Sequence, residues 1–407
     1  MNKWRNRLAA LGTAAVMAVA LCICPARTVC ADGLLEWQEA APAQAEEEAG
    51  VTEALAKEVP AKSAVLMDAS SGQLLFEKNA HEKMPPASIT KIMTMLLVME
   101  AIEDGSIQYT DAVTCSEHAA EMGGSQIWLE PGEEMTVEEL LKAAAVNSAN
   151  DASMALAEHV AGSEEAFVAR MNERAKELGM EDTAFQNPTG LDEEGHYSSA
   201  YDIALMSREL LKHEDITRFT TIWMDSLRGG ETALTNTNKL VRFYDGCTGL
   251  KTGTTDGAGS CLSATASREG LSLIAVSMGS PTSDERFSAC RTLLDYGFSA
   301  FESYTPQVEA GELPEIRVKN GVEGTVAPVL GEAPALLVAK GKSGDVTRTV
   351  SLPEEVEAPV EEGQRLGEIT FALDGSQLAA IPITAESAVP KMDFSTAIRM
   401  IFSMLFQ

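Results

Sequence analysis

The sequence predicts an α/β fold: an antiparallel sheet with flanking helices and an all-helical part, then a small all-β domain and a C-terminal amphipathic helix. Three observations predict it. Strand-like segments joined by tight turns occur at both ends of one unit, "SAVLMDASSGQLLFEKNA" from Ser63 and "CTGLKTGTT", "SCLSATASRE" and "LSLIAVSMGS" from Cys247. Helix-period patterns fill the stretch between them, so one sheet takes its first strands from the N-terminal side and its last three from the C-terminal side. From about residue 306 the composition shifts to short Val-, Leu- and Pro-rich pieces with turn signals and no helical period.

The chain has 407 residues, enough for two or three domains, and 45% of them are hydrophobic. A formal net charge of −30 excludes nucleic acid as a partner, since phosphate binding needs basic surface. Residues 1–31 read as an export signal. Lys3, Arg5 and Arg7 precede the apolar run "LAALGTAAVMAVALCIC", and "VCA" offers a cleavage point after Ala31. A retained span would need roughly 20 apolar residues, and no small residue precedes Cys22, Cys24 or Cys30 in a lipoprotein pattern. Cleavage removes four basic and no acidic residues, which takes −30 to −34. Residues 32–59 are acidic and alanine-rich, the composition of a loosely ordered linker. Cys115, Cys247, Cys261 and Cys290 remain, with no CxxC spacing that would hold zinc. On a hairpin turning near Asp256 to Gly259, Cys247 and Cys261 do not fall opposite each other, so no bridge between them is expected.

The main domain is expected over 60–305. A strand, a turn at Ser71–Gly72 and a second strand lead to "PPASITKIMTMLLVME". This helix starts at Ser88 and is apolar from Ile92 to Met99 except at Thr94, so it is buried; Gly105 stops it. Thr136 and Glu139 form a capping box for "TVEELLKAAAV". "NDASMALAEHVAG", "SEEAFVARMNERAKELGM" and "SAYDIALMSRELLKHE" are further helices, and "SDERFSACRTLLDYGFSAFESY" closes the domain as a long one. Residues 306–388 are expected to form a small β-sandwich-like domain. In the tail, 391–407, Phe394, Ala397, Ile398, Ile401, Phe402, Met404 and Leu405 share one helical face, and Ser395, Thr396, Arg399 and Ser403 another. Its terminal position after Pro390 favours an anchor in a membrane surface over docking on its own β-domain.

Lys91, at the mouth of the apolar helix, raises a chemical question. A buried lysine is costly to charge, so desolvation lowers its pKa. A neutral amine one turn from a serine hydroxyl can take its proton. Ser88 and Lys91, three apart, share a helix face, and the helix N-terminus supplies free N–H groups where an oxyanion forms. Alone, Ser-x-x-Lys is also the pattern of a capping serine with a snorkelling lysine. "SAN", Ser148 to Asn150, lies between two helices, where a loop projects a hydroxyl and an amide. "KTG", Lys251 to Gly253, lies on a strand and is followed by Thr254. A strand edge binds peptides by β-augmentation, and Gly253 lets backbones approach.

Together and in this order the three stretches resemble the serine penicillin-recognising enzymes, with their Ser-x-x-Lys, Ser-x-Asn and Lys-Thr-Gly signature. "PPASITKIMT", "LEPGEEMTVEELLKAAAVNSANDAS", "NPTGLDEEGHYSSAYDIALMSREL" and "GLKTGTTDGAGSCLSATA" look like the exported D-alanyl-D-alanine carboxypeptidases, the low-molecular-mass penicillin-binding proteins, over roughly residues 60–305. The β-domain and tail match that architecture less specifically. The resemblance implies a β-lactamase/transpeptidase-like catalytic domain with Ser88 as nucleophile, Lys91 as its base and Ser148 as proton relay to the leaving amine. It implies that Asn150 positions the substrate amide, that Lys251 and Thr252 hold the terminal carboxylate, and that Arg286 helps. The N–H groups of Ser88 and Thr254 would form the oxyanion hole, and His196 has a structural role. Peptidoglycan stem peptides are the implied substrate and β-lactams covalent inhibitors, with no cofactor or metal, at the extracytoplasmic face of the cell membrane or in the cell wall.

Three other readings share these motifs. A class A β-lactamase deacylates with a glutamate in a Glu-x-x-Leu-Asn loop, which "MEDTAFQNPTGLDEEG" does not contain; β-lactams are therefore expected to inhibit rather than be hydrolysed. A DD-transpeptidase would use the same acyl-enzyme, but most carry a large additional domain. A non-catalytic wall-binding protein would have no reason to retain a lysine that is costly to bury.

Overall fold

The computed structural model describes residues 53–308 and 313–405, together with two short strands, Arg27–Val29 and Leu35–Trp37, that pair antiparallel. Those strands apart, the expected export signal and the linker up to residue 52 lie outside the described residues. The end of the linker is ordered, contrary to expectation. Residues 53–58 are helical, Leu55 and Val59 are buried in a core cluster, and Lys78 Nζ donates to the carbonyls of Ala56 (3.0 Å) and Val59 (2.9 Å). Two apolar side chains four apart suffice to dock one helical turn in an otherwise acidic stretch.

Five strands form the central sheet: β1 (Ser63–Asp68), β2 (Leu74–Lys78), β3 (Cys247–Thr255), β4 (Gly259–Arg268) and β5 (Leu271–Ser280). Their order is β2-β1-β5-β4-β3 and every pairing is antiparallel, so the N-terminal pair joins the last three across β1 and β5. Alternation sorts the strand residues between two cores. Val65 and Met67 join the larger core with α1 (Lys91–Glu103), α2 (Val137–Lys142), α3 (Asn150–Ala161), α4 (Glu164–Glu177) and α5 (Ala200–Leu210). Ala64 and Leu66 face the other core, with Phe287, Cys290, Leu293 and Leu294 of α6 (Ser283–Ala300). The sheet is thus covered on both faces. Every residue of α1 from Lys91 to Met99 is buried, as its apolar run requires. Cys247 stands opposite Ala266 and Cys261 opposite Gly253, and the four cysteines from Cys115 onward are free.

The closing helix is shorter than the sequence suggests. Residues Phe301–Tyr304 form a strand that pairs with Leu336–Ala339, so helix α6 runs directly into the β region. Beyond it lie a three-stranded and a four-stranded sheet with two small apolar clusters, one of which takes side chains from both sheets. The tail forms α7 (Phe394–Leu405). Its start is fixed by Met392 N donating to Asn320 O (2.7 Å) and Thr396 N to Asp393 Oδ1 (2.7 Å). Phe394, Ile398 and Phe402 remain 82%, 37% and 56% exposed, while Ala397 on the same face is half-buried. No helix among the described residues is long and apolar enough to cross a membrane.

Candidate active site

Pro85 and Pro86 feed a 3₁₀ turn, Ala87–Thr90, and the α-helix begins only at Lys91. The expected α-helical start at Ser88 is thereby corrected, and the correction helps: in a 3₁₀ turn side chains at i and i+3 eclipse. Lys91 Nζ lies 3.0 Å from Ser88 Oγ, 2.6 Å from Asn150 Oδ1 and 2.6 Å from Thr189 O. Burial holds the Lys91 pKa well below the ordinary lysine value; the positive charge of Lys251 adds to this and Asp151 opposes it. A neutral amine has two hydrogens and one lone pair. The two short contacts, to Asn150 Oδ1 and Thr189 O, can take both hydrogens. The lone pair is then left for the Ser88 hydroxyl, the arrangement a general base needs.

Asn150 reaches Lys91 by a different device, two residues beyond Ser148. Helix α2 widens into a π turn, Ala143–Asn147, after which Ser148 is left-handed with φ 62°. Such a conformation costs a non-glycine residue about 1–2 kcal/mol. It is held by Ala149 N donating to Ala143 O (3.2 Å) and Asn150 N to Ser125 O (2.7 Å). Asn150 Nδ2 donates to Gly123 O at 2.6 Å, which turns Oδ1 toward Lys91.

Lys251, Thr252 and Gly253 lie on β3, the edge strand of the sheet. A Cβ on Gly253 would sit 2.8 Å from Pro86 O, 3.0 Å from Ala87 Cβ and 3.1 Å from Ile89 N. Only glycine lets the strand lie directly against the serine's turn. Lys251 is buried, donates to Thr252 O (3.0 Å), and is pushed down to about 7, by burial first and by Arg286 second. Thr252 Oγ1 donates to Thr237 Oγ1 at 2.7 Å. Arg286 Nη1 donates to Gly253 O (3.0 Å) and Thr254 Oγ1 (2.7 Å), so in this structure the arginine braces the strand.

Several contributors escaped the sequence reading. Thr189 supplies a carbonyl to Lys91, and its loop is tied by Asn187 Oδ1, which accepts from Thr189 N, Thr189 Oγ1 and Gly190 N. A Cβ on Gly190, whose φ is +83°, would lie 1.9 Å from Ala87 O. The Asn-Pro-x-Gly turn signal in this stretch could have marked the loop. Asp151 accepts from the backbone N–H groups of Ile127, Leu129 and Ala152, and so fixes the segment beside Asn150. His196 is buried, with Gln186 N donating to Nδ1 and Nε2 facing Thr90 Oγ1. Burial takes its pKa down to about 4, so it stays neutral.

Residues 49–282 match the family profile described as D-alanyl-D-alanine carboxypeptidase. The chain is also 46% identical, over 83% of its own length and 88% of the relative's, to the D-alanyl-D-alanine carboxypeptidase DacF of Bacillus subtilis (strain 168). The chain belongs to the D-alanyl-D-alanine carboxypeptidase family. Residues 301–391 of this carboxypeptidase match the C-terminal domain of penicillin-binding protein 5. Penicillin-binding protein 5 of Haemophilus influenzae shares its fold with a TM-score of 0.72 and 32% identity, covering 82% of this chain and 98% of that one. Penicillin-binding protein D2 of Listeria monocytogenes, in a form described as cefotaxime-bound, aligns with a TM-score of 0.55 and 32% identity over 59% of this chain and 98% of its own.

Proposed function

We propose that the enzyme removes the terminal D-alanine from peptidoglycan stem peptides through an acyl-enzyme on Ser88. The observation that carries this reading is the contact set of Lys91, a buried amine of lowered pKa whose hydrogens have two carbonyl acceptors and whose lone pair is left to Ser88. Ser88 Oγ attacks the carbonyl carbon of the penultimate residue as its proton passes to Lys91. The N–H groups of Ser88 and Thr254 receive the developing oxyanion, Asn150 orients the acyl-side amide, and Lys251, Thr252 and Arg286 hold the terminal carboxylate. The C–N bond then breaks, Ser148 relays the proton to the departing amine of D-alanine, and a water molecule hydrolyses the Ser88 ester. β-Lactams would acylate the same oxygen and persist, since the sequence from Met180 to Gly195 contains no Glu-x-x-Leu-Asn whose glutamate would activate water against them. Export through residues 1–31 and attachment of α7 to the outer membrane surface complete the reading, because the substrate lies outside the cytoplasm.

The test is D-alanine release from a pentapeptide stem substrate by the purified mature protein, beside Ser88→Ala. Release by the wild type and none by the variant is expected. Release by both would remove Ser88 from the chemistry. Absence of release from a folded wild type would put the transpeptidase or wall-binding reading ahead.

A further inference from the structure

Between the strand Thr232–Thr235 and the short helix Leu240–Phe243 lies a segment outside all three signature stretches, Asn236-Thr237-Asn238. Both asparagines are buried, and both spend their amide groups on backbone. Asn236 Nδ2 donates to Thr220 O (3.2 Å) and Ile222 O (2.7 Å), and its Oδ1 accepts from Asn238 N (2.9 Å). Asn238 Nδ2 donates to Gly249 O (2.9 Å), on β3 two residues before Lys251, and its Oδ1 accepts from Leu240 N (3.1 Å). Buried amides satisfied in this way hold one conformation. They fix the residue between them, Thr237.

Thr237 touches both walls of the site. Its N–H donates to Val146 O (3.1 Å), in the π turn two residues before Ser148. Its Oγ1 accepts from Thr252 Oγ1, on the edge strand, at 2.7 Å. Thr252 is 4% exposed, so its hydroxyl depends on partners inside the site, whereas Thr237 is half-buried. The backbone of Thr237 is held without help from its hydroxyl, which leaves that hydroxyl to serve Thr252.

A hydroxyl has one hydrogen to give and two lone pairs to receive. In this structure the Thr252 hydrogen goes to Thr237. A substrate carboxylate held by Thr252 claims that same hydrogen. A separation of 2.7 Å serves a hydrogen from either oxygen, so the pair can reverse by turning two hydroxyl torsions, with no heavy atom displaced. Thr237 then donates to Thr252 Oγ1 while Thr252 donates to the carboxylate, and each bond polarises the other. On the carboxypeptidase reading above, we infer that Thr237 is a positioning residue for substrate. It takes the Thr252 hydrogen before the peptide arrives and supplies one to Thr252 Oγ1 once the terminal carboxylate has claimed it. Without that donor, a bound peptide that excludes water leaves the Thr252 oxygen buried and unpaired, which costs binding.

The test uses the full mature protein, wild type beside Thr237→Val, Thr237→Ser, Thr252→Val and the double valine variant. Two rate constants are read for each. One is kcat/KM for D-alanine release from the pentapeptide stem substrate. The other is second-order acylation by a labelled penicillin, which also carries a carboxylate, and its end-point gives the active fraction. Thr237→Val is expected to lower both constants about tenfold, the effect of one lost hydrogen bond, and Thr237→Ser to retain most of each. In the Thr252→Val background, Thr237→Val should change either constant by less than about twofold, because its partner is already gone. A loss that persists at full size in that background would overturn the inference, since Thr237 would then act independently of Thr252. Wild-type constants in Thr237→Val would overturn it as well. Absence of D-alanine release from the wild type would instead count against the carboxypeptidase reading, and the acylation cycle would still decide the role of Thr237.

Discussion

At the scale of single residues, the site separates backbone strain from chemistry at Ser148. The proposed mechanism makes its hydroxyl a proton relay, but its left-handed backbone suits glycine better. Ser148→Gly therefore relieves strain and removes the relay together. The expected outcome is a melting temperature no lower than wild type with D-alanine release down by about 10²–10⁴-fold, the span of lost acid–base catalysis. A variant that melts lower would show that the hydroxyl, not the backbone, holds the π turn. The two buried lysines give a second expectation. Acylation by a labelled penicillin should rise with pH as Lys91 loses its proton. The positive charge of Lys251 is among the causes that depress the Lys91 pKa, and it acts below about pH 7, where Lys251 is charged. Lys251→Met removes it, so the Lys91 pKa rises and the acid limb moves to higher pH. A limb that stays in place would dissociate that proton from Lys91.

At the scale of elements, the decisive contact is between the edge strand β3 and the 3₁₀ turn that carries Ser88. Gly253→Ala places a methyl group against Pro86 O and Ile89 N, backbone atoms that cannot swing aside. The strand must shift by a few tenths of an ångström or more while the sheet keeps its remaining pairings. Circular dichroism close to wild type is expected, with D-alanine release reduced by about 10²-fold, as small misplacements of reacting groups do. Full activity would mean that the strand does not position substrate. Such contacts explain what was legible in the sequence. The unbroken apolar run Ala64, Val65, Leu66 and Met67 suits a strand covered on both faces, and it is so covered. That Ser88, Lys91 and Asn150 would meet was legible because the chemistry proposed for them demands particular side chains. The Thr189 carbonyl was not, since any residue supplies a carbonyl. The 3₁₀ start, the π turn before Ser148 and the helix at 53–58 were missed for a related reason. Tertiary packing, rather than local propensity, decides such single turns.

At the scale of the whole molecule, charge and tail pull in opposite directions. The chain carries −30, or −34 if residues 1–31 are removed as proposed, and an anionic membrane surface repels it. On the proposed attachment the apolar face of α7, with Phe394 and Ile398 exposed, would supply the attraction, because Lys391 and Arg399 are the only basic residues between Pro390 and Gln407. The sign of the salt effect follows. A protein drawn to lipid by basic residues leaves the surface as salt is added. This one is expected to bind anionic vesicles more tightly as salt rises, since screening over a Debye length of about 10 Å at 0.1 M weakens the repulsion and leaves the apolar contact intact. Zwitterionic vesicles should show little salt dependence. Co-sedimentation of the mature protein with both kinds of vesicle, beside a variant lacking residues 391–407, makes the comparison. Loss of binding on deletion, with salt strengthening the full chain's hold on anionic lipid, is the expected pair of results. Binding that survives deletion, or that salt weakens, would show that another, charged surface makes the attachment.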